Sequence, residues 1–576
     1  MRARGRKVSD NAIDGPQIAN GDPGPTWHYE IDYLVAGTGV AGLSAAITAK
    51  RNGLETLIVE STDKWGGTTG MSGGGLWAPN NPLMVKAGVE DSVEAALHYM
   101  EQTIGDVGPW TSRDRKLAFL NTIPHYIDTL GEEGVKWVRA KDYPDYYPDL
   151  PGGRVGRGLE VKPFNVRKLG KWRKTLRTSL PAPLMTDDVW LLSRAWSTPS
   201  GFIRGAFFVF RTLGGILTGQ LKYGLGGALA GSLLHIVLRQ ETPVWLNSPL
   251  TELIVENGRV VGAVVDKEGE EVHVRSRRGV MLAAGGFARN KQWRQKCHGV
   301  PGWTSAPEGQ LGQGIAAGEE AGGALGMMDD AWWGAAAAMP GGSEQYGFLL
   351  HERSAPWSIV VDQKGNRYLN ESESYIDFGH HMLEHDKKTP AIPSWLVTDH
   401  RHATRFLNPI FRIPGAKKKL AEQGEFVSAP TLRELAAKMK VDQETFLATV
   451  ERFNGFAREG VDRDFQRGRT IYDQYYSHPL VKPNPNLGAI EKGPFRALKV
   501  YPGDLNTKGG LVTDEYARVL RKDGSIIDGL YAAGNNTASV MGHTYPGPGS
   551  TIAPAAIFGF LGALHAAQQA QNRHEE

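Results

Sequence analysis

Three glycines and one acidic residue near the start of the chain have the spacing that dinucleotide binding requires. Gly37, Gly39 and Gly42 follow a short apolar run, and Glu60 ends a second apolar run, Thr56–Val59. The first glycine permits a tight turn, the second lets backbone approach a pyrophosphate at a helix N-terminus, and the third lets helix pack closely on strand. Glu60 can then accept hydrogen bonds from a ribose diol. The pattern predicts a nucleotide-binding unit of strand, turn, helix and strand.

A second glycine-rich stretch, at 66–75, shifts the prediction from NAD to FAD. Its many backbone N–H groups and small hydroxyls could wrap a diphosphate and the edge of a flat ring. A nicotinamide enzyme has no need for such a cradle directly after the ribose acid. A flexible linker would not carry Met71, Leu76 and Trp77 between apolar elements. Since the loop contains no histidine or cysteine, we expect FAD to be bound non-covalently.

Later segments supply further expected contacts to this cofactor. An apolar strand runs into Ala284 and Gly285, and the strand Leu530–Ala533 runs into Gly534 and Asn535. A helix beginning at Ile552 would aim its N-terminus at the flavin pyrimidine and stabilise negative charge there. The full set of expected cofactor contacts is Gly37, Gly39, Ala41, Gly42, Glu60, Ser61, Gly67, Thr68, Thr69, Ser72, Gly73, Gly74, Ala284, Gly285, Gly534, Asn535 and Ile552.

Length and composition bound the class of protein. With 576 residues, 41% hydrophobic and 22% charged, the chain is globular and long enough for more than one domain. The net charge of only +3 gives no general case for nucleic-acid binding. The single cysteine, Cys297, excludes a disulfide framework, a multi-cysteine metal site and a cysteine-ligated iron–sulfur cluster. No metal site is expected.

Changes in pattern along the chain predict the domain organisation. Residues 1–27 are polar, without the apolar core of a secretory signal, and we expect a flexible tail and a cytoplasmic protein. The FAD-binding domain is expected over 28–331 and again over 506–576, with helices at 90–138 and a β meander containing an Asn257-Gly258 hairpin. Residues 332–505 mix strands and helices and are expected to form an inserted α+β domain.

The segment 164–222 is basic and aromatic. It carries ten lysines and arginines against two acids, so its charge is +8, and tryptophans and phenylalanines lie between the charges. No run approaches the roughly 20 apolar residues that span a bilayer. Basic residues, interfacial tryptophans and an apolar face predict an insertion that lies on an anionic membrane surface, at the inner face of the cell membrane. The alternative is an ordinary subdomain whose aromatics pack inward or against another subunit.

Tyrosines occur where no core periodicity requires them. Tyr143, Tyr146 and Tyr147 lie in a proline-bounded loop, KDYPDYYPDLPGG, which on its own is equally compatible with surface packing. Tyr375 follows a strand and a turn, and Tyr545 lies in the glycine-proline turn Thr544–Ser550.

These motifs together resemble a known family. The first βαβ unit, the GGTT and SGGG loop, the AAGGF strand end and the LYAAGN segment are similar to the fumarate-reductase-like FAD superfamily. Within it, YPDYYP, NESESY and TYPGPGSTI look like the bacterial 3-ketosteroid Δ1-dehydrogenases, and the resemblance covers about residues 30–570. The basic-aromatic insertion is similar to that of the membrane-associated cholest-4-en-3-one Δ1-dehydrogenases. The implied fold is α/β: a Rossmann-type FAD-binding domain with an inserted α+β catalytic domain.

The resemblance also implies a mechanism. The Tyr545 hydroxyl and the Gly549 N–H would polarise the C3 oxygen of a 3-ketosteroid, and Tyr375, helped by a hydrogen bond from Tyr146, would take the C2 proton. Hydride would leave C1 for flavin N5, and an external acceptor such as a quinone would reoxidise the flavin. The choice of Tyr146 over Tyr143 or Tyr147 rests on spacing alone. Pro546 replaces an expected small residue and leaves these roles intact.

Three other functions are weighed against this one. A fumarate or succinate oxidoreductase would need arginines and histidines converging on the ring, whereas the candidate site residues here are tyrosines. A 3-ketosteroid Δ4-(5α)-dehydrogenase would share the flavin and the carbonyl clamp and use a different base. A non-catalytic flavin-containing membrane scaffold would need no phenols beside the flavin, so replacing Tyr375 by Phe should leave its function intact.

Overall fold

A computed structural model describes residues 26–342 and 344–575. Residues 1–25 of the expected flexible tail lie outside the described residues. At the end of that segment, Trp27 packs under the guanidinium of Arg275, 5.8 Å from its ring centre.

Most of the strands are short, and three of them span nine residues or more. In chain order they are β1 (Tyr29–Ala36), β2 (Thr56–Val59), β3 (Leu76–Trp77), β4 (Trp137–Arg139), β5 (Gly158–Val161), β6 (Phe164–Asn165), β7 (Lys222–Tyr223), β8 (Val244–Trp245), β9 (Leu250–Glu256), β10 (Arg259–Lys267), β11 (Glu270–Leu282), β12 (Trp303–Thr304), β13 (Leu325–Gly326), β14 (Ala331–Ala338), β15 (Tyr346–Phe348), β16 (Ser358–Val361), β17 (Ser394–Thr398), β18 (Phe426–Ala429), β19 (Phe495–Thr507), β20 (Gly510–Leu511), β21 (Arg518–Leu520) and β22 (Ile526–Ala532).

Helices connect and cover these strands. In chain order they are α1 (Val40–Arg51), α2 (Gly67–Met71), α3 (Pro82–Lys86), α4 (Val93–Thr103), α5 (Arg113–Glu132), α6 (Thr186–Ser193), α7 (Pro199–Leu217), α8 (Leu225–Arg239), α9 (Lys291–His298), α10 (Gln313–Glu320), α11 (His351–Ser354), α12 (Tyr375–Asp386), α13 (His400–Arg405), α14 (Ala416–Glu422), α15 (Leu432–Met439), α16 (Gln443–Glu459), α17 (Ile471–Tyr475) and α18 (Ile552–Glu575). Single 3₁₀ turns or short 3₁₀ helices cover Pro109–Thr111, Val166–Lys174, Ile410–Arg412 and Gly534–Asn536.

The first sheet contains the predicted nucleotide-binding unit. Its order is β21-β22-β11-β1-β2-β8, and β1 is parallel to both β2 and β11. Along β1 the buried side chains alternate between two cores: Tyr33 and Val35 pack with α1, α8 and α18, whereas Leu34 and Ala36 pack with β9 and β10 on the other face. Burial on both faces is why the strand sequences are continuously apolar. The predicted βαβ unit is confirmed.

The β meander also forms as predicted. Strands β9, β10 and β11 pair in antiparallel fashion, and the β9–β10 turn is Asn257-Gly258. Both turn residues have positive φ, 50° and 79°. Such a turn matches the twist of the flanking strands, which is why Asn-Gly is favoured there.

A second, seven-stranded sheet lies in the middle of the sequence. Its order is β15-β14-β19-β17-β16, with β12 and β18 also pairing with β19. The long strand β19 therefore joins its two halves and returns the chain to the first sheet. Because β12 belongs to residues before 332, this sheet takes one short strand from outside the expected α+β segment.

The segment 164–222 folds as an attached unit. The pairing of β6 with β7 closes it at its base, where Phe164 faces Tyr223. The buried carboxylate of Asp188 on α6 accepts from Arg204 Nε at 2.5 Å and forms a second ion pair with Arg211. These two arginines on α7 hold that helix against α6.

The opposite face of α7 is apolar and exposed. Phe202 and Phe207 are each 64% exposed, and Phe210 is 72% exposed. In length and composition α7 could cross a membrane, so the expectation that no run approaches this requirement is wrong. Sequence reading missed it because Arg204 and Arg211 interrupt the run, although both turn toward Asp188 in the fold.

Candidate functional site

One large cavity, of about 1430 Å³, joins the glycine turn after β1 to the predicted tyrosines. It is lined by every expected cofactor contact except Gly42, and also by Tyr146, Tyr375, Tyr545 and Gly549. The sequence motifs, which are up to several hundred residues apart, are therefore brought into one site.

The glycine turn is set by close backbone packing. Gly37 has φ of 111°, and a Cβ there would lie 2.3 Å from the carbonyl oxygen of Ala283 on the neighbouring strand. A Cβ on Gly42 would lie 2.0 Å from the carbonyl oxygen of Gly37. Gly42 therefore lies between helix and strand, and does not line the cavity.

Glu60 is fixed before any ligand binds. Its carboxylate accepts from the Thr38 N–H at 3.2 Å, from the Thr38 hydroxyl and from the Thr62 N–H at 3.2 Å. The Thr38 hydroxyl also accepts from Gly66 N–H at 3.0 Å, which ties the second glycine loop to the acid. Sequence reasoning missed Thr38 because it occupies a variable position within the glycine motif.

The second glycine loop wraps the start of α1. Part of it forms the short helix α2, and the Thr69 hydroxyl accepts the Val40 N–H at 2.9 Å. Asn506 donates to the Thr68 hydroxyl at 3.2 Å and to Gln310 at 2.7 Å. Asn506 and Gln310 line the cavity, but no local pattern marks them because β19 brings Asn506 there from a distant part of the sequence.

These features fit a dinucleotide cofactor. Gly39 caps α1 without a side-chain cap, and Gly39, Val40 and Ala41 line the cavity, so this helix end can receive a pyrophosphate. The start of α18 lines the same cavity through Ile552. A cradle of glycine backbone, a fixed carboxylate and two helix N-termini meets the requirements of a diphosphate, a ribose and a flavin ring.

Three tyrosine rings meet at one end of the binding site. The Tyr375 and Tyr545 ring centres are 4.7 Å apart and edge-on, and Tyr146 stacks on Tyr545 at 5.1 Å and meets Tyr375 edge-on at 5.5 Å. Tyr375 is the first residue of α12. The Tyr146 N–H donates to the Pro546 carbonyl at 2.9 Å, which fastens the tyrosine loop to the C-terminal turn.

The hydroxyls separate the three tyrosines of the loop. Tyr146 and Tyr143 share a hydrogen bond of 3.2 Å, and Tyr143 also bonds to Tyr476. Tyr147 instead donates to Asp377 at 3.1 Å. The expected hydrogen bond from Tyr146 to Tyr375 is not formed between these described side chains, because their rings meet edge-on and the Tyr146 hydroxyl is directed to Tyr143.

A second layer of tyrosines supports the first. Tyr143 stacks on Tyr475 at 4.3 Å, and Tyr146 packs on Tyr472 at 4.4 Å. Tyr472 and Tyr475 lie on α17, and Tyr476 follows as its C-cap. Sequence reasoning missed them, although the run IYDQYY, with three tyrosines at helical spacing, was an available signal.

A buried acid holds the tyrosine loop in place. Asp145 accepts from Trp77 Nε1 at 2.8 Å and from Arg157 at 2.7 Å, and Arg157 also pairs with Asp91. Burial raises the pKa of Asp145 to about 6 even though the Arg157 charge opposes this shift. Asp145 therefore anchors the loop next to Tyr146 through its contacts with Trp77 and Arg157.

A buried lysine, Lys508, fixes the C-terminal turn that carries Tyr545. Lys508 donates to the Thr544 carbonyl at 2.8 Å and lies 4.3 Å from the ring centre of Trp332, which in turn packs edge-on against Tyr545. Burial lowers the Lys508 pKa to about 7, opposed by the charge of Asp330. No local sequence pattern marks Lys508 or Trp332 as part of the site.

Burial also sets the protonation state of the phenols. It raises the pKa values of Tyr146 and Tyr375 well above the usual value near 10. Burial likewise raises the pKa of Tyr545, against the opposing effect of the Thr551 hydroxyl, which lies 3.3 Å from it. All three are therefore neutral hydrogen-bond donors at neutral pH in the free protein.

Comparisons with known proteins agree with this geometry. A family model described as FAD binding domain matches residues 32–552. A 3-oxosteroid 1-dehydrogenase of Mycobacterium tuberculosis (strain ATCC 25618 / H37Rv) is 44% identical over 568 residues, which cover 94% of this chain and 99% of the relative.

Solved structures give the same result. The 3-ketosteroid delta1-dehydrogenase from Sterolibacterium denitrificans, in complex with 1,4-androstadiene-3,17-dione, superposes with a TM-score of 0.88 at 35% identity, covering 94% of this chain and all of that chain. A flavocytochrome c3 fumarate reductase in an open conformation superposes with a TM-score of 0.64 at 21% identity, covering 95% of this chain and 79% of that chain, and shows the fold alone. With its glycine cradle, fixed glutamate and converging phenols, this chain belongs to the 3-oxosteroid 1-dehydrogenases, FAD enzymes of the fumarate-reductase-like fold.

Proposed function

We propose that this protein removes one hydrogen each from C1 and C2 of a 3-keto-Δ4-steroid and releases the 1,4-dien-3-one. The observation that carries the proposal is the convergence of Tyr146, Tyr375 and Tyr545 in the cavity that the glycine turn also lines. The names of the relatives point to the same substrate class. Sterol-derived ketones such as cholest-4-en-3-one are the favoured substrates because the cavity is large and extends to the apolar residues Val189 and Trp190 on α6.

The carbonyl clamp consists of Tyr545 and Gly549. The Tyr545 hydroxyl and the Gly549 N–H hold the C3 oxygen and stabilise the negative charge that develops on it as C2 loses its proton. Gly549 has φ of 97°, and a Cβ there would lie 2.2 Å from the Gly75 carbonyl oxygen, so only glycine fits at this point. Lys508 keeps the clamp in position by holding the Thr544 carbonyl.

Tyr375 accepts the C2 proton. Because burial keeps it neutral in the free protein, Tyr375 must first release its own proton to solvent; as the phenolate it then takes the proton from C2 and becomes a phenol again. Its place at the first position of α12 supplies the partial positive charge of a helix N-terminus. Tyr146 packs edge-on against it, and the Tyr146 hydroxyl lies in a hydrogen-bonded chain with Tyr143 and Tyr476 that fixes its ring beside the base.

The expected cofactor contacts that line the cavity hold the FAD. Gly39, Ala41 and the 67–74 loop line the cavity where they would receive the pyrophosphate, Glu60 would bind the ribose, and Asn535 and Ile552 would hold the ring system. Bound FAD supplies the acceptor for the hydride that leaves C1. An external acceptor, such as a quinone, then takes the electrons away.

Anaerobic mixing of the purified yellow protein with cholest-4-en-3-one and with androst-4-ene-3,17-dione tests the activity. We expect the flavin absorbance to bleach and a 1,4-dien-3-one to form, with the faster ketone revealing whether a steroid side chain matters. A product unsaturated at another position would favour the Δ4-(5α) chemistry. Failure to bleach with either ketone would contradict the proposal and return attention to dicarboxylate substrates.

We further propose that the 164–222 unit lies on an anionic membrane surface. The apolar face of α7 is exposed, and the 3₁₀ segment Val166–Lys174, which carries five basic residues and no acid, follows β6, the strand that pairs with β7 shortly after the end of α7. An apolar face next to a basic strip is the pattern of interfacial helices. The unit also contributes Arg177 and Trp190 to the cavity wall, so its placement would bring the cavity near lipid-dissolved sterols.

Flotation with phosphatidylglycerol vesicles tests this surface. The triple change Phe202→Ser, Phe207→Ser and Phe210→Ser should release the protein from the vesicles while bound flavin is retained. The matched control is Val85→Ser, an exposed apolar residue on α3, which should float as the unchanged protein does. If the unchanged protein does not float with anionic vesicles, the membrane proposal is wrong and α7 needs another partner.

A further inference from the structure

A second cavity, of about 240 Å³, lies on the second sheet and shares no lining residue with the first. Strands β17, β18 and β19 form one side, and α13, the start of α14 and the segment between them form the other. Apolar side chains line it together with polar and charged groups: the buried Leu396, Leu498, Phe406 and Phe426 and the half-buried Phe411. No step of the proposed reaction uses it.

Three cations and one histidine, His402, lie among these apolar side chains. Arg412, Lys417 and Arg496 line the cavity, and among the described residues no acid lines it with them. None of the three forms an ion pair with a carboxylate in the described part of the chain. Thr398 and Asn408 add polar groups beside the cations.

The charge arrangement is unfavourable as it stands. Arg496 is half-buried, and burial lowers its pKa. Burial also lowers the pKa of Lys417, and the Arg496 charge adds to that shift, so two cations are held close together without a counter-ion. A bound anion would relieve both the desolvation and the repulsion, and it would form charge-assisted hydrogen bonds with Arg496.

We propose that this cavity binds a small anionic amphiphile, a monocarboxylate whose compact apolar body packs among the phenylalanines while its carboxylate lies between Arg496 and Lys417. At about 30 Å³ for each non-hydrogen atom, the share that a water molecule takes in the liquid, the cavity holds roughly eight such atoms. Octanoate has eight carbon atoms, so its carbon chain fills that space while its two carboxylate oxygens lie at the rim between Arg496 and Lys417. A longer acyl chain would have to extend into solvent.

The cavity also lies beside residues that form hydrogen bonds with the 164–222 unit. Phe406, which lines it, precedes Leu407, whose N–H donates to the Ser193 carbonyl at the end of α6 at 2.7 Å. The Arg405 carbonyl accepts from the Ser197 hydroxyl at 3.0 Å. A molecule bound in this cavity would therefore lie against Phe406, the neighbour of Leu407, which bonds to the end of α6.

Calorimetric titration of the full-length, FAD-loaded protein with sodium octanoate tests the proposal. We expect one saturable site, at least about tenfold weaker binding of uncharged 1-octanol, and a loss of about tenfold or more in octanoate affinity for both Arg496→Gln and Lys417→Gln. Lys417 is exposed, so its variant should fold normally. Arg433→Gln, an exposed arginine outside the cavity, is the matched control and should keep the affinity.

A competition arm separates this site from the first cavity. Octanoate binding should be unchanged when the protein is saturated with androst-4-ene-3,17-dione. Displacement by the steroid, equal affinity in the Lys417→Gln and Arg496→Gln variants, or no saturable binding to the unchanged protein would each overturn the proposal.

Discussion

The tyrosine loop distributes three similar side chains over three different partners. Tyr146 packs against the two other site phenols, Tyr143 links it to Tyr476, and Tyr147 donates to Asp377. The sequence spacing could not separate them, because all three occur within five residues of the same loop. Their partners give the three tyrosines different roles. Tyr146 contacts the proposed catalytic phenols, Tyr143 supports Tyr146, and Tyr147 anchors the loop.

Replacing the proposed base tests the chemistry of the site. Tyr375→Phe should slow the bleaching of the flavin by ketone about 10²–10⁴-fold, the usual effect of removing a general base, with flavin content unchanged. Stopped-flow absorbance under anaerobic conditions measures this rate.

Tyr472→Phe is the matched control for that change. Its hydroxyl is buried and has no hydrogen-bond partner among the described residues, although its ring packs on Tyr146. Removing the hydroxyl should leave the bleaching rate within about twofold, since no hydrogen bond is lost. If Tyr375→Phe bleaches as fast as this control, Tyr375 is not the base, and another group must take the C2 proton.

The loop tyrosines should differ in kinetics and stability. Tyr146→Phe should slow bleaching by about tenfold or more, because loss of its hydrogen bond to Tyr143 frees the ring that packs against Tyr375, whereas Tyr147→Phe should change the rate little. Tyr147→Phe should instead lower the free energy of unfolding by about 1–3 kcal/mol, because buried Asp377 loses a donor. Single-turnover rates and urea unfolding of both variants measure the two effects, and the opposite ranking would contradict the assignment of Tyr146.

At the scale of elements, the nucleotide unit depends on how closely α1 approaches β1. Gly42 has no place in the cavity wall, yet its missing Cβ allows the contact that shapes the wall. The same holds for Gly74, where a Cβ would lie 2.3 Å from the backbone of Leu225 at the start of α8. The cradle for the cofactor is therefore formed by packing between elements as much as by the residues that face it.

A single methyl group should reveal this dependence. Gly42→Ala would place its Cβ 2.0 Å from the Gly37 carbonyl oxygen, so α1 must move away from β1. We expect the purified variant to contain much less FAD, measured by the ratio of flavin to protein absorbance.

Gly131→Ala provides the control, because this glycine lies inside α5 with nothing within 4 Å of its missing Cβ. It should keep full flavin content and stabilise the helix by up to about 1 kcal/mol. Equal flavin content in both variants would show that the turn tolerates a side chain and that the packing argument is wrong.

The 164–222 unit is an element with two faces. Through Arg177 and Trp190 it forms part of the cavity wall, and through α7 it exposes phenylalanines. Deleting the whole unit would therefore damage the site as well as the surface, which is why substitutions on α7 alone are the informative test.

At the scale of the whole molecule, the second sheet is held to the 164–222 unit through buried histidines. His402 Nε2 donates to the Glu352 carbonyl at 2.8 Å, and the ring packs against Phe406, which also meets His478. His478 contacts the Ser197 hydroxyl at 3.2 Å. Burial lowers the pKa values of both His402 and His478 to about 4.

These histidines should make the fold sensitive to acid. The pKa of His402 is below its unfolded value of about 6.5, so between pH 6.5 and 4 the unfolded chain binds more protons and the free energy of unfolding falls as pH falls. From pH 7 to 5 this residue alone should remove about 2 kcal/mol.

Urea unfolding of the FAD-loaded protein and of His402→Asn at both pH values measures this contribution. The variant lacks the titrating group, so its stability deficit relative to the unchanged protein should shrink by about 2 kcal/mol at pH 5. A deficit that stays constant between the two pH values would mean that His402 is not held neutral in the fold.

Local patterns determined much of this protein from the sequence alone. The βαβ unit, the Asn257-Gly258 hairpin and the strand before Gly534 depend on contacts between neighbours in sequence, and each forms as predicted. The glycine-rich stretch at 66–75 added the expected FAD, and family resemblance added the roles of the three tyrosine motifs. These predictions succeed because turns, apolar periodicity and glycine spacing are patterns that extend over only a few dozen residues.

Only the tertiary structure decided the rest. The partners of Tyr146, the layer formed by Tyr472 and Tyr476, and the link from Asn506 to the glycine loop join residues far apart in the chain. The same is true of the second cavity, whose cations come from two separate segments, Arg412 and Lys417 near α14 and Arg496 on β19. No periodicity encodes such meetings, because they arise when sheets and helices pack and bring distant side chains to one point.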